Sequence, residues 1–127
     1  MGNYAVRKAS AKDIAIIEEL ILEWLEFTPR WGRTKSIRDS VAKEEILVAV
    51  SKFRVVGFIH CVVHDDIIDG GPNAFITALY VTPSCRRKGV GSSLLQHLVA
   101  GVTAKGALEI ETSTTKRDGR RFYENLG

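Results

Sequence analysis

Three consecutive cations, Arg86, Arg87 and Lys88, run directly into Gly89-Val90-Gly91-Ser92, just past an apolar stretch that stops at Thr82-Pro83. These residue types in this order suit an anion. Glycines let a backbone approach a ligand closely. A helix that starts here leaves its first N–H groups unpaired and carries partial positive charge at that end. Such a turn favours a phosphate or pyrophosphate. A tight turn with solvated basic side chains has the same composition, so the surrounding elements must decide.

Other chemistry-bearing residues offer less. His60 and His64 invite a metal, but four residues along a strand spans about 13 Å, too far for both to grip one ion. No metal site is expected. Cys61 and Cys85 fit neither a disulfide framework nor a four-ligand zinc site. Cys61 sits in an apolar run and reads as a small core residue. Asp65, Asp66 and Asp69 with Gly70, Gly71 and Pro72 read as a solvated turn.

The elements that must hold the turn follow from periodicity. Asn3 to Lys8 reads as a first strand. Ser10-Ala-Lys-Asp13 forms a capping box with Asp in place of Glu. A helix follows, with Ile14, Ile17, Leu20, Ile21, Trp24 and Leu25 on its core face and Glu18, Glu19 and Glu23 on its wet face. Phe27 to Lys35 is a loop containing Arg30, Trp31 and Arg33, with a short helix over 36–43. Trp31 either covers a substrate or packs the loop down. Ile46–Ser51 and Arg54–Val63 form an antiparallel pair, and the strand through Phe75 to Val81 leads into the basic turn. Leu94, Leu95, Leu98, Val99 and Val102 form a helical stripe that ends at Lys105-Gly106. A strand over 107–113 returns parallel to its predecessor, and a splay between those two strands makes a natural cleft. Thr115 to Asp118 opens a last short helix containing Phe122, Tyr123 and Leu126.

Composition excludes several classes. The chain of 127 residues is one domain, 1–127, with an apolar fraction of 45% and a charged fraction of 26%. No apolar run approaches a membrane span and the start lacks a secretory core, so a cytoplasmic protein without membrane partners is expected. The net charge of +3 accommodates an anionic ligand. Nucleic acid is not expected as a partner, since no recognition motif accompanies the cations.

The basic turn is not a Walker loop, because GxxxxGK[ST] is missing, and Gly89-Val-Gly91-Ser-Ser-Leu94 lacks the third glycine of a dinucleotide fingerprint. Instead, Arg86-x-x-Gly89-x-Gly91, entered from LYVTP and followed by SSLLQHL, resembles motif A of the GNAT (Gcn5-related) acyl-CoA N-acyltransferases. RRFYENLG, Arg120 to Gly127, is similar to that family's later helix. The order β-α-α-β-β-β-α-β-α matches too, so the resemblance covers nearly the whole chain. It implies a layered α/β fold: a mixed, mostly antiparallel sheet with a parallel unit made by the fourth strand, its helix and the fifth strand.

The resemblance also implies roles. The backbone of Leu79, Tyr80 and Val81 would pair with the pantetheine arm of acetyl-CoA. Amides of Arg86, Arg87, Lys88, Gly89, Val90, Gly91 and Ser92 would hold the pyrophosphate. Tyr123 would protonate the leaving thiolate as general acid. The expected activity is transfer of an acetyl group from acetyl-CoA to a primary amine of a small molecule or peptide. Direct attack gives a tetrahedral intermediate whose oxyanion needs backbone N–H donors.

Three departures stand out. Ala78 occupies the place where many members carry a basic Glu, so base duty passes to a water or to Asp65, Asp66 or Glu111. Lys116 and Gly119 replace an Asn and an Ala of the last helix; Lys116, Arg117, Arg120 and Arg121 meet cofactor phosphates or form a wet face. The family's final closing strands do not follow Gly127. Strand 107–113 is then a bare edge, which a homodimer covers or a longer chain completes. A catalytically weak acyl-CoA-binding module is the competing reading, and a nucleic-acid binder a distant third. Arg30, Arg33 and Lys35 would repel a polyamine and suit an acceptor bearing a carboxylate or phosphate.

Overall fold

The computed structural model describes residues 4–25 and 32–112. The first strand, β1 (Tyr4–Lys8), leads through a 3-10 turn at Ala11–Asp13 into α1 (Ile14–Leu25). The Asp13 carboxylate accepts the Ser10 N–H at 2.8 Å and a bond from Arg7 at 2.7 Å. Burial alone would raise this carboxyl, but Arg7 and Ser10 together hold it below the usual carboxylate range.

The next helix, α2 (Arg33–Ala42), begins three residues before the expected Ser36. Gly32, at φ 83°, supplies a left-handed entry, so no Ser, Thr, Asp or Asn cap marks the start. Strands β2 (Ile46–Ser51), β3 (Arg54–Asp66) and β4 (Gly71–Val81) follow as antiparallel neighbours. β3 runs past Val63 and β4 starts before Ala74, because the acidic stretch pairs, Asp65 lying opposite Pro72 and Asp66 opposite Gly71. Asp66 accepts N–H groups of Ile68 and Asp69 at 2.8 and 2.9 Å and closes the hairpin. Those bonds hold its carboxyl below the usual range.

After β4 a 3-10 turn (Pro83–Cys85) and α3 (Val90–Ala104) lead to β5 (Ile110–Thr112). The sheet order is β1-β2-β3-β4-β5, and β5 is parallel to β4. The expected strand 107–113 narrows to three residues. Leu108 and Glu109 still bond to β4: the Leu108 N–H reaches Pro72 O and the Ala74 N–H reaches Glu109 O.

The helices cover both faces. α1 and α2 pack Ile17, Leu20 and Ile37 on Val48, Phe58 and Tyr80. α3 packs Val90, Leu94, Leu98 and Val102 on Ile59, Cys61 and Ile76 of the other face. Such burial contributes roughly 1.5–3 kcal/mol per large apolar side chain. Among the described residues, no helix is long and apolar enough to cross a membrane.

Two register shifts shape the centre of the sheet. Ala49 pairs with Gly57 and Val50 with Val55, so Val56 is an extra residue in β3. His60 pairs with Ala78 and Cys61 with Ile76, so Thr77 is an extra residue in β4. A bulge of this kind bends the strand and increases its twist. Val56 lies at the head of the basic turn, its carbonyl bonded by the Thr82 N–H, and Thr77 lies within the strand that feeds that turn.

Candidate functional site

The turn from β4 to α3 has a backbone suited to an anion. Arg87 takes φ 63° and Gly89 φ 82°, both left-handed. A non-glycine residue there costs roughly 1–2 kcal/mol, so Arg87 stores strain. Alternating backbone hands turn successive N–H groups toward one concavity. The first helical bond is Ser93 N–H to Gly89 O at 3.0 Å. The amides of Val90, Gly91 and Ser92 therefore have no acceptor inside the helix, and no side chain caps Gly89. Arg86, Arg87 and Lys88 are exposed around them.

The bulge at Thr77 decides which backbone groups of β4 face outward. Before it, the Ala74 N–H points to β5. After it, the Thr82 N–H points to β3, bonding Val56 O at 2.8 Å. Strand alternation then assigns the backbone groups of Ala78, Tyr80 and Thr82 to β3, and those of Leu79 and Val81 to the opposite edge. β5 pairs with β4 only over Ala74–Ile76. Leu79 and Val81 thus present N–H and C=O groups beyond the last described pairing, on the edge that leads into the turn. The Val81 carbonyl accepts Arg86 Nε at 2.8 Å. The same guanidinium lies 5.3 Å from the centre of the Tyr80 ring.

Tyr80 contributes a side chain and not an edge. It is buried, stacks on Trp24 at 5.3 Å, and its hydroxyl donates to Glu23 Oε1 at 2.6 Å. Burial and the Glu23 carboxylate push its pKa up to about 12. Thr82 Oγ1 donates to the same oxygen at 3.0 Å. Glu23 is exposed, as expected for the wet face of α1, and also ties that helix to the end of β4. Glu18 likewise accepts a bond from Thr34 Oγ1 at 2.8 Å and links α1 to α2. A cleft of about 360 Å³ lies alongside, between α1 and the ends of β3 and β4, with Glu19, Glu23 and Arg54 in its wall.

The candidate bases separate by position. Asp65 and Asp66 sit at the hairpin end of β4, about 20 Å of strand from Ala78, and Asp66 is committed to the turn. Proton transfer at the open edge is therefore out of their reach. Glu111 is exposed on β5 opposite Phe75, nearer the edge. Ala78 faces α1 and carries no ionisable group. His60, read at first only as a metal candidate beside His64, lies next to Ala78 and bonds both Glu45 and Thr77. His64 is exposed, with its ring beside Asp65 O. Tyr123, Lys116, Arg117, Arg120, Arg121, Arg30 and Trp31 lie outside the described residues. Gly57 escaped sequence reasoning too. Its position opposite Val81 leaves no room for a side chain, since a Cβ there would lie 2.8 Å from Tyr80 O.

Solved structures share this architecture. A transcriptional regulator from Bacillus halodurans C-125 superposes with a TM-score of 0.86 at 19% identity, over 98% of this chain and 91% of its own. The aminoglycoside N-acetyltransferase AAC(6')-Iy, solved in complex with CoA, gives 0.85 at 18%, over 98% of this chain and 86% of its own. The ribosomal-protein-alanine N-acetyltransferase of Brucella melitensis biovar Abortus 2308 gives 0.81 at 17%, over 98% and 91%. At these identities the likeness establishes the fold. No curated protein matches the sequence. The model of the acetyltransferase (GNAT) family matches residues 15–127. With the sheet, the split beside β4 and the glycine turn in agreement, the chain belongs to the GNAT acetyltransferase family and is an acyltransferase.

Proposed function

We propose that the chain transfers an acetyl group from acetyl-CoA to a primary amine of a small molecule or peptide. The observation that carries this reading is the Thr77 bulge. It turns the Leu79 and Val81 backbone toward an edge that runs directly into the unpaired amides of Val90, Gly91 and Ser92. Bound acetyl-CoA would supply a thioester carbonyl that the amine attacks, through a tetrahedral intermediate. The turn from Arg86 to Ser92 would hold the pyrophosphate through backbone N–H groups, with Arg87 and Lys88 adding charge outside it. Leu79 and Val81 would pair with the pantetheine arm. For Val81 O to join, Arg86 must release it, and its guanidinium then becomes free for phosphate. Tyr80 would hold the floor through Trp24 and Glu23.

Tyr123 is the proposed general acid for the departing thiolate. A cytoplasmic location and a second copy covering the sheet edge at 107–113 complete the proposal. A catalytically weak acyl-CoA-binding module is the second reading, favoured by Ala78, which brings no carboxylate to β4.

Following thiol release from acetyl-CoA with an amine panel tests the enzyme. Tyr123→Phe should lower turnover by about 10² while leaving coenzyme A affinity within twofold. Equal turnover removes Tyr123 from the mechanism. Tight binding with no release over the whole panel selects the second reading.

A further inference from the structure

His60 sits on β3 directly opposite Ala78, and its two ring nitrogens have different partners. Nδ1 bonds the hydroxyl of Thr77, and Nε2 lies 3.2 Å from Glu45 Oε1. The Thr77 hydroxyl also approaches His60 O, at 3.5 Å. The two ionisable side chains are half-buried, at 22% and 20% exposure, whereas Thr77 is open to solvent. Around the ring, the cross-strand neighbours Ile46 and Ala78 and the same-face neighbour Phe58 are apolar. Glu45 is the charged group that faces it, and Thr77 the polar group from β4.

Three elements therefore meet in one chain of hydrogen bonds: carboxylate, imidazole, hydroxyl. An ionised carboxylate only accepts, so Nε2 carries the hydrogen toward Glu45 and Nδ1 is left as an acceptor aimed at Thr77. The polarity of the chain is thus fixed, with its proton-accepting end at the surface. That end is the bulge residue, at the point where β5 stops pairing and the open edge begins. From Val81 back to Thr77 is about 13 Å of strand, comparable to an extended pantetheine arm anchored at the turn. His60 and Ala78 lie on the face covered by α1 and α2, opposite α3.

We propose that Glu45, His60 and Thr77 form the relay that accepts the proton of the attacking amine, taking the place of a carboxylate at Ala78. This rests on the acetyltransferase reading above. As the amine nitrogen bonds to the thioester carbon, the carbonyl π pair moves to oxygen. The nitrogen loses a proton to Thr77 Oγ1, directly or through one water, while the Thr77 hydroxyl proton passes to His60 Nδ1. Glu45 stabilises the imidazolium. The oxyanion then collapses, the C–S bond breaks, and the thiolate leaves and takes a proton from an acid. The imidazolium returns its proton to solvent.

Two measurements test the relay. The first follows kcat/KM against pH for wild type, Thr77→Val, His60→Gln and the double variant, using acetyl-CoA with glycine, spermidine, kanamycin and a glycyl peptide as amines. Each single variant should lose about 10² at neutral pH, with coenzyme A affinity unchanged. The double variant should lose no more than either. The second needs no turnover: nitrogen NMR of the free protein should show His60 protonated at Nε2. A Nδ1–H tautomer overturns the relay, and so do additive losses. If His60→Gln fails to fold, Thr77→Val, at an exposed site, decides the matter by its rate alone, and wild-type rates there reject the proposal. No turnover by wild type with any of the four amines refutes the acetyltransferase reading itself, whatever the tautomer.

Discussion

Gly57 offers a sharp test of how β4 is positioned. It lies in β3 opposite Val81, and an added Cβ would stand 2.8 Å from Tyr80 O, 3.2 Å from Val81 Cγ2 and 3.4 Å from Leu94 Cδ1. The first of these is a backbone oxygen, which can move only if the strand moves. Gly57→Ala gains roughly 0.5–1 kcal/mol because alanine loses less backbone entropy on folding. Against this stands an overpacking cost of about 1–3 kcal/mol in a filled core. The net expectation is a loss of about 1–2 kcal/mol, or roughly 4–8 °C in melting temperature for a chain of this size. Because the displaced strand carries Leu79 and Val81, coenzyme A should bind about tenfold more weakly, a change of about 1.4 kcal/mol. Gly101→Ala is the internal control. It lies within α3, where a Cβ meets nothing within 4 Å. That variant should be stabilised by up to about 1 kcal/mol, with unchanged affinity. Urea titration and calorimetry with coenzyme A read both quantities. A Gly57→Ala protein as stable as wild type and equally avid would refute the argument that close approach of β3 sets the end of β4.

Two further outcomes follow from ionisation. The Asp13 carboxyl is held below its unfolded value, so its contribution is present above about pH 4 and is lost as the pH falls through the folded value. Asp13→Asn should cost about 1–3 kcal/mol at neutral pH and flatten the acid dependence of the urea midpoint below pH ~4; an unaltered acid slope would contradict this. Burial pushes the Cys61 thiol up to about 11, while Cys85 is half-exposed beside the basic turn. At pH 8, about one thiol per native chain should react promptly with Ellman's reagent and about two after denaturation, with coenzyme A slowing the first. Prompt reaction of both in the native state would overturn the burial argument.

What the sequence disclosed, and what it hid, divides by range. Residues whose role depends on near neighbours were legible. Ile17 and Leu20 at helical spacing, the stripe Leu94-Leu98-Val102, and Gly89 at the head of α3 all sit where periodicity and turn chemistry put them. The family resemblance of the turn and the last segment agrees with the family match over residues 15–127. Roles that depend on a distant partner were not legible. Nothing local distinguishes Glu23 from Glu19, yet Glu23 accepts two hydroxyls from β4. His60 reads as half of a metal pair until Glu45 and Thr77, 15 and 17 residues away, are brought to its ring. A bulge is a property of two strands together, so Thr77 carries no mark of it. The start of α2 was hidden for a different reason: a glycine in left-handed conformation does the work of a polar cap.

The extra residue at Thr77 acts as a phase shift. With Thr77 left out of the ladder, odd-numbered positions toward the end of β4 face outward; were it paired regularly, even-numbered positions would. Taking Thr77 into regular pairing opposite His60 would leave every residue in place by identity, yet would hand the Leu79 and Val81 main-chain groups to β3 and offer those of Ala78 and Tyr80 instead. Deleting Thr77 would not, because the Ile76–Cys61 and Ala78–His60 pairs would then simply follow one another. Groups supplied by the main chain are indifferent to what is attached to them. Leu79 and Val81 should therefore tolerate other apolar residues with little effect on the donor and acceptor pattern they show. What the end of β4 must preserve is the phase set by the unpaired residue at Thr77, because sliding it by one residue against β3 reverses the polarity of the whole edge.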